Sequence, residues 1–302
     1  RFFFVLSLLA AVASANLEDL EKTLTGHLDL TKLKDVMEKL KSDIEQKLQQ
    51  SPEEKEEVDE LLSKLADSQV THGAQVLSGE DVTELNNAAG LDADLFEGDM
   101  MLTNEQLDEF QLYVPNNGSR ARRQAQKGPR FPTNTWGKNP VIPYSFDARY
   151  PQDSSQLTNR EAIKSAIKFW EDNTCIRFKE TTAGSDRVKF IFDDGCYSYV
   201  GRIGGEQVVS IGDGCGSTGI VAHELSHTFG IFHVQSRFDR ENYVLINKAN
   251  IESNQLHNFD IESPQTSDNY GIPYEFGSNM HYGEGDFGLD RSKPALLARE
   301  AH

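Results

Sequence analysis

Residues 223–233 read HELSHTFGIFH, and this stretch decides which chemistry the chain can support. On a helix, residues four apart share a face, so His223 and His227 present two imidazoles to one metal ion. Glu224 lies on the adjacent turn, within reach of a metal-bound water. Gly230 permits a left-handed helix end, after which His233 can return as a third ligand. Three neutral nitrogen ligands leave one position open, which is typical of a catalytic zinc.

The same long pattern occurs in metzincin zinc proteases, which also carry a methionine turn further along the chain. Here that turn is SNMHY, residues 278–282. Other residues that indicate one particular family of metzincins are Arg237, Asp239, Arg240, Trp136 and residues 142–144. Together they resemble the astacin family of secreted metalloendopeptidases, and some nematode members are similar after the third histidine. The resemblance covers about residues 96–290.

The resemblance implies a role for each residue of the motif. His223, His227 and His233 match the zinc ligands of the family, which bind one Zn²⁺. Glu224 matches the general base that activates the zinc-bound water. Tyr282 matches an additional ligand that swings toward the oxyanion during turnover. The methionine of the turn, Met280, matches a residue that packs beneath the zinc.

The fold class follows from the pattern beyond residue 136. Residues 141–146 and 188–192 have the alternation of strands. Between them, residues 158–170 are predicted as a helix whose apolar side chains recur at i, i+3, i+4 and i+7. One core-packing helix among several strands predicts an α+β fold. The resemblance implies a zincin-like catalytic domain with a twisted mixed sheet, an active-site helix and a C-terminal sub-domain that is incomplete here.

Charge divides the chain into unlike parts. The net charge is −18, and residues 16–119 hold 25 acidic but only 8 basic side chains. Such a balance disfavours nucleic acid as a partner, because phosphate binding needs a basic surface. Residues 131–302 are less acidic, with 23 acidic and 16 basic side chains. We therefore interpret the acidic part as a separate segment.

The first residues have the features of a secretory signal peptide that is incomplete at its start. Arg1 precedes an apolar run over residues 2–12 and then ASA at residues 13–15. No later run reaches the ~20 apolar residues of a membrane helix, so no membrane span is expected. The predicted organisation is a signal peptide at 1–15, an acidic pro-segment at 16–123 and a catalytic domain at 124–302, truncated at its C-terminus. The predicted location is extracellular.

The acidic segment is predicted to consist of amphipathic helices. Residues 33–44 carry apolar side chains at helical spacing, and SPEE at residues 51–54 is a strong helix start. For most of residues 16–70 we expect a solvated acidic arm without a compact core.

A basic cluster, RARR at residues 120–123, follows the loop-like PNNG of residues 115–118. Such a cluster predicts cleavage after Arg123 by a processing protease of the proprotein-convertase type. An arginine-rich surface patch is the alternative interpretation. The sequon at Asn117 predicts glycosylation on the side that cleavage would remove.

Residues 96–99 read FEGD. By themselves Gly98 and Asp99 would form an ordinary turn. FEGD resembles the pro-segment motif of the astacin family, whose aspartate, here Asp99, coordinates zinc and displaces the catalytic water. A carboxylate oxygen is an ordinary zinc ligand. No cysteine lies between residues 16 and 174, which excludes the thiolate switch of matrix metalloproteases.

The three cysteines are an odd number for an exported chain, so one is free or its partner is missing. The resemblance pairs Cys196 with Cys215 and implies a partner for Cys175 beyond residue 302. The family usually has Glu directly after the third histidine, where it meets the mature N-terminus. Here the residue is Val234, which cannot anchor an ammonium, so an N-terminus at Gln124 would lack that salt bridge.

These features predict a secreted zinc endopeptidase made as a latent zymogen, with protein or peptide substrates. It would hydrolyse peptide bonds by a zinc-bound water, with Glu224 as general base. The alternative is a non-catalytic secreted zinc-binding or matrix-interaction protein. Absence of Glu224, His233 or Tyr282 would favour that alternative, and all three are present. A structural zinc finger would require cysteines close to the histidines.

Overall fold

The computed structural model describes residues 51–67, 82–91, 94–113, 125–126, 134–148, 150, 157–262, 267–290 and 292–299. The predicted signal peptide, the helical pattern at 33–44, the sequon at Asn117 and the cleavage site at Arg123 lie outside these residues. No helix in the described ranges is long and apolar enough to cross a membrane.

Helices and strands alternate along the described part of the chain. The helices are α1 (Pro52–Asp67), α2 (Val82–Ala88), α3 (Asn104–Tyr113), α4 (Leu157–Asn173) and α5 (Thr218–Thr228). The strands are β1 (Met100–Met101), β2 (Ala125–Gln126), β3 (Val141–Phe146), β4 (Arg177–Glu180), β5 (Arg187–Ile191), β6 (Cys196–Tyr199), β7 (Glu206–Ile211), β8 (Val244–Ile246), β9 (Ser267–Asp268) and β10 (Leu296–Ala298). Short 3₁₀ turns follow α5: Val234–Ser236, Arg240–Asn242, Lys248–Asn250 and Leu256–Phe259.

The central sheet has six strands in the order β1-β6-β7-β5-β3-β4. Strands β3, β4, β5 and β7 run parallel, whereas β6 is antiparallel to β7. β1 then pairs in parallel with β6, through Met100 opposite Ser198 and Met101 opposite Tyr199. The sheet is therefore mixed, as the predicted α+β class requires, and the strand from residues 100–101 covers the edge of β6.

Helices α4 and α5 pack with the sheet in one apolar core. The predicted inward residues of α4 include Ile163 and Ala166, and both are fully buried. Val221 and Leu225 of α5 are fully buried in the same cluster as Val188 and Phe190. Because α5 is buried along nearly its whole length, its polar residues are held within the protein and not at its surface.

The residues after α5 form a part with little regular structure. Its apolar core includes Val234, Phe259, Met280 and Tyr282. β8 and β10 pair antiparallel and contribute Ile246 and Leu296 to the same core. This part lies beyond the histidine motif in the chain and supplies the methionine turn.

One disulfide ties the sheet to the motif helix. Cys196 in β6 is bonded to Cys215, which lies two residues before Ser217, the residue that caps the N-terminus of α5. The predicted Cys196–Cys215 pairing is confirmed. Cys175 is exposed and unpaired among the described residues.

The first described helix departs from the expected solvated arm. Its predicted start is confirmed: Ser51 Oγ accepts a hydrogen bond from Glu54 N at 3.1 Å, and Glu54 Oε2 accepts from Ser51 N at 2.9 Å. The helix does not stand free in solvent, however, because Val58 is only 3% exposed and packs with Leu245 and Leu297. An amphipathic pattern predicts an apolar face but not its partner, which here lies almost 190 residues further along the chain.

Candidate metal centre

Helix α5 and the turn after it bring three histidines together. His223 Nε2 lies 3.1 Å from His227 Nε2, one helical turn away. Gly230 has a φ of +92°, which lets the chain leave the helix and reverse. His233 then returns, with its Nε2 3.3 Å from His223 Nε2. All three imidazoles are buried, as the spacing of the motif predicts.

The outer nitrogen of each imidazole is held by an acceptor. His223 Nδ1 donates to the Asn279 carbonyl at 2.6 Å, and His227 Nδ1 donates to the Ile231 carbonyl at 2.8 Å. His233 Nδ1 contacts Glu97 Oε2 at 2.8 Å. A carbonyl only accepts, so the proton of His223 and of His227 resides on Nδ1. Their Nε2 lone pairs therefore point inward, which is the arrangement of metal-binding histidines.

Asp99 approaches the same point from a distant part of the chain. Its Oδ2 lies 2.9 Å from His223 Nε2 and 3.1 Å from His233 Nε2. Its Oδ1 lies 3.3 Å from His227 Nε2. Each of the four residues offers one ligand atom, and these atoms all lie within 4.8 Å of one another.

The four residues fit a zinc ion in both chemistry and spacing. Three imidazoles and a carboxylate are donors that zinc takes in tetrahedral sites. Two nitrogens that are each ~2.0–2.1 Å from a tetrahedral ion lie about 3.3 Å from one another. The Nε2 separations of 3.1 and 3.3 Å, from His223 to His227 and to His233, agree with that spacing.

A tight turn directs Asp99 into the cluster. Phe96 and Met100 form a backbone bridge with hydrogen bonds of 2.8 and 2.9 Å, and between them Glu97 and Gly98 have φ values of +47° and +80°. Gly98 is required, because a side chain there would adopt a strained backbone and contact the Phe287 ring at 3.1 Å. Gly98 and Asp99 thus form a turn, as the residues alone predict, and this turn brings the carboxylate to the histidines.

Burial and charge act in opposite directions on these groups. Burial raises the pKa of Asp99, but the charges of His233 and His227 outweigh it and hold that pKa well below its ordinary value. Burial lowers the pKa of His227 to about 4, which favours the neutral imidazole that a metal requires. Burial also disfavours the charged form of His233, yet Asp99 and Glu97 raise its pKa to about 10. The two carboxylates therefore favour positive charge at the centre, whether a proton or a cation supplies it.

Glu224 is enclosed beside the cluster. It is fully buried, and neither carboxylate oxygen has a hydrogen-bond partner among the described residues. Burial, and secondarily the charge of Asp99, raises the pKa of Glu224 well above its ordinary value. A desolvated carboxylate next to a metal site is suited to accept a proton from a nearby water.

The methionine turn lies next to the cluster. Met280 is 3% exposed, and its carbonyl accepts a hydrogen bond from Val234 N at 2.8 Å. The ring of Tyr282 lies 4.8 Å from that of His233, measured between centroids. The Tyr282 hydroxyl donates to the Glu97 carbonyl at 2.7 Å, so it is engaged by the FEGD turn.

Three residues of the site were not predicted. Glu97 accepts from His233 Nδ1 across 136 positions, and Asn279 accepts from His223 through its carbonyl. The side chain of Asn86 donates to the Gly98 carbonyl at 2.8 Å and so holds the turn that bears Asp99. Of the three, only Glu97 could have been found from the sequence, because it belongs to the FEGD motif. The other two act through main-chain contacts that tertiary structure alone creates.

A cleft of about 240 Å³ opens beside the cluster. Its lining includes His223, Asn279 and Tyr282, and also Val82 and Asp99 from earlier in the chain. The residues N-terminal to the predicted cleavage site therefore contribute to the lining of the cleft.

The residues just beyond that cleavage site are held by main-chain pairing. β2 pairs antiparallel with β9, with Ala125 opposite Asp268 and Gln126 opposite Ser267. Val234 is buried in the apolar core at the position where a glutamate was expected from the family pattern. In this chain, backbone pairing holds the segment that begins at residue 125, without a carboxylate at position 234.

Comparison with known proteins agrees with the motif. A sequence profile of the peptidase family described as Astacin matches residues 129–302. The chain belongs to the astacin family. Similar proteins of this family include zinc metalloproteinase nas-31 of Caenorhabditis elegans, 39% identical over 228 residues, which are 74% of this chain and 36% of that protein. The chain is also similar to nas-37 of the same organism, 40% identical over 73% of this chain and 27% of that protein.

A third astacin-family relative is nas-36 of Brugia malayi, 36% identical over 68% of this chain and 38% of that protein. The chain thus spans only 27–38% of the length of these nematode relatives. Among solved structures, high choriolytic enzyme 1, a hatching enzyme zinc-protease of the medaka Oryzias latipes, is 32% identical. That match has a TM-score of 0.48 and covers 57% of this chain and 80% of the other.

Proposed function

We propose that this chain is the latent form of a secreted zinc endopeptidase. In this proposal, residues 1–15 direct export, residues 16–123 are a pro-segment removed after Arg123, and residues 124–302 carry the catalytic machinery. The observation that supports it most directly is the convergence of three histidine Nε2 atoms with Asp99 on one point. A metal centre with one ligand from outside the catalytic domain is the expected form of a reversible block.

We assign His223, His227 and His233 as the residues that hold zinc in the processed enzyme. When bound, zinc supplies a Lewis acid and lowers the pKa of a coordinated water to about 7. In the uncut chain, an acceptor on Nδ1 of each imidazole fixes the orientation of that ring. Two of these acceptors, the carbonyls of Asn279 and Ile231, lie within residues 124–302 and would remain after processing.

Glu224 is assigned as the general base. It takes a proton from the attacking water and delivers that proton to the leaving amine, which needs a carboxylate free of other hydrogen bonds. Its two unpartnered oxygens meet this requirement. Since Asp99 also raises the pKa of Glu224, departure of Asp99 would move that pKa back toward a value suited to a base.

Two further groups become available when the pro-segment leaves. The hydroxyl of Tyr282 loses its acceptor, the Glu97 carbonyl, and can donate to the oxyanion that develops on the scissile carbonyl. The edge of β6 loses its neighbour β1, because the bonds from Ser198 N to the Asp99 carbonyl and from Val200 N to the Met101 carbonyl disappear. An exposed strand edge beside the cleft can pair with an extended peptide, which fits a protein or peptide substrate.

The deciding experiment compares the uncut chain with the chain cut after Arg123 by a convertase-type protease. With zinc present, we expect the cut protein, once the excised segment has been removed, to hydrolyse an internally quenched peptide and the uncut chain to be nearly silent. A chelator should abolish hydrolysis, and added zinc should restore it. If the cut protein retains stoichiometric zinc but hydrolyses none of a broad peptide library, the proposal is wrong and the non-catalytic zinc-binding alternative stands.

A further inference from the structure

The two-stranded sheet of β8 and β10 has an apolar outer face. Leu245 and Leu297 are directly opposite each other in the antiparallel register. Their neighbours Ile246 and Leu296 point the other way, into the core that contains Met280 and Tyr282. Because side chains alternate along a strand, Leu245 and Leu297 must lie on the face turned away from that core. Two adjacent leucines on an outer face indicate a surface that another element covers.

Helix α1 covers this face. Val58 is 3% exposed and forms a separate apolar cluster with Leu245 and Leu297, against which Leu61 and Leu62 also pack. Positions 58, 61 and 62 share one side of a helix, so α1 contacts the sheet along a single stripe. No residue of the histidine site belongs to this cluster. We call the surface formed by Leu245, Leu297, Lys248 and Arg299 the outer patch.

Charges at the rim of the outer patch match the acidic helix. Glu54 lies 3.6 Å from Lys248 Nζ, and Glu57 forms an ion pair with Arg299. Both acidic residues lie on the same stripe as Val58. Partly exposed ion pairs of this kind add little affinity each, but they fix the direction and register of a docked helix. The capping box at Ser51 orders the start of the helix and so reduces the entropy lost on docking.

We propose that α1 is a second docking element of the pro-segment, which binds the outer patch independently of Asp99. This inference rests on the proposed processing after Arg123. A segment attached at two sites dissociates far more slowly than one attached at either alone, because each contact keeps the other at high local concentration. The excised pro-segment therefore stays bound after the chain is cut, and full activity requires its later loss or a second cleavage.

The test uses the full chain and two variants of α1. Val58→Asp places a charge in the apolar contact, whereas Ser63→Asp places the same charge on an exposed position of the helix. After cleavage at Arg123, size-exclusion chromatography with mass spectrometry follows the excised segment. In the unsubstituted protein and in the Ser63→Asp variant it should co-elute with residues 124–302. In the Val58→Asp variant it should dissociate at least tenfold faster. Equal dissociation rates in all three proteins would overturn the proposal.

Exchanging the charges of the ion pair between Glu57 and Arg299 gives a second, independent test. Glu57→Arg or Arg299→Glu alone should speed dissociation, and the two together should restore a slow rate, since the ion pair is reformed in reverse. Restoration is not expected if the residues act only through overall stability.

Failure of processing can be told apart from failure of docking. If no cut occurs at Arg123, or residues 124–302 stay inactive with zinc after the excised segment has been removed, the proposed function fails. Docking is then measured in the uncut chain by hydrogen exchange of peptides that contain residues 244–246 and 296–298. Val58→Asp should accelerate their exchange and Ser63→Asp should not. Unchanged exchange in the Val58→Asp variant would refute docking on its own.

Discussion

Two segments of the chain meet at the metal centre, and they are anchored in different parts of the fold. Residues 218–233 belong to the permanent framework: α5 packs into the main core, and the disulfide between Cys196 and Cys215 connects its leading loop to β6. Residues 96–101 come from far earlier in the chain and are held by a two-residue strand, a tight turn, the side chain of Asn86 and a second apolar cluster that buries Met100 and Met101. We call them the permanent half and the detachable half of the site.

This difference indicates how one site can be both complete and inactive. In the proposed function, the permanent half supplies three nitrogen ligands and Glu224, and the detachable half supplies the carboxylate that would fill the remaining position. The detachable half is held by hydrogen bonds to backbone and by apolar packing of Phe96, Met100 and Met101, and these contacts are lost together when the segment leaves. Substitutions in the permanent half should therefore affect the processed enzyme, whereas those in the detachable half should affect only the unprocessed chain.

The largest effect is expected for Glu224→Gln in the permanent half. Glutamine keeps the shape of the side chain but accepts no proton, so kcat/KM of the processed protein should fall ~10²–10⁴-fold, the usual contribution of a general base. Zinc content should stay at one ion per chain, because the three histidines are unchanged. The measurement is peptide hydrolysis alongside metal analysis.

Thr218→Ala is the matched control for that substitution. Thr218 is the exposed first residue of the same helix. Its activity should equal that of the unsubstituted enzyme. Hydrolysis by the Glu224→Gln variant at the normal rate would mean that another group accepts the proton.

Asp99→Ala should have the next largest effect, and only before processing. It removes the carboxylate from a buried cluster in which breaking an ion pair costs ~3–5 kcal/mol. The peptidase activity of the uncut chain should then rise by roughly tenfold or more, because loss of the Asp99 carboxylate weakens the block of the metal site. The readout is peptidase activity of a chain that carries an uncleavable Arg123→Ala substitution.

Asp108→Ala serves as the comparison for Asp99→Ala, because Asp108 is exposed on α3. It should leave the uncut chain silent. If the Asp99→Ala chain is equally silent although it binds zinc normally, latency has another origin, such as occupation of the β6 edge by β1.

The permanent half was largely predictable because its information is local. His223 and His227 share a helix face, and Gly230 marks the turn that returns His233, so spacing alone predicts a three-nitrogen site. The core face of α4 and the α+β class follow from apolar periodicity in the same way. These predictions depend on contacts between residues only a few positions apart.

The detachable half was predictable only through family resemblance. Nothing in its own spacing distinguishes Asp99 from any aspartate in a turn, because its partners lie 124 or more positions away. The sequence gives no indication of the role of Asn86 or of the packing of Val58. Both residues contact parts of the chain that are distant in sequence and that only the folded structure brings near. For the same reason α1 was expected to be solvated. The spacing of its apolar residues predicts an apolar face, but it does not predict which residues that face contacts.

Removal of the disulfide should destabilise both forms of the protein. Cys196 and Cys215 are 19 residues apart, and a crosslink of that span typically contributes ~3 kcal/mol to the free energy of unfolding. The double substitution Cys196→Ala/Cys215→Ala should lower that free energy by a similar amount with the pro-segment present or removed. Denaturant unfolding measures this free energy.

The control is Cys175→Ala, at an exposed cysteine that is unpaired among the described residues, which should change the free energy of unfolding by less than ~0.5 kcal/mol. A loss confined to the unprocessed chain would contradict the assignment of this crosslink to the permanent half.

The smallest effect, and the most selective, is expected for Asn86→Ala. This fully buried side chain donates to the Gly98 and Cys196 carbonyls at 2.8 and 2.6 Å and accepts from Cys196 N at 2.7 Å. Alanine leaves these backbone groups without their partner, which costs ~1–3 kcal/mol. Denaturant unfolding of the uncut chain should show that loss, and its basal peptidase activity should rise slightly as the turn at Gly98 loosens.

The control for Asn86→Ala is Asn87→Ala, at the next and exposed position of α2, which should show neither change. After processing, Asn86 is gone with the detachable half, so enzyme made from the Asn86→Ala variant should match the unsubstituted enzyme in kcat/KM. A lasting defect there would mean that Asn86 guides folding of the permanent half before it leaves.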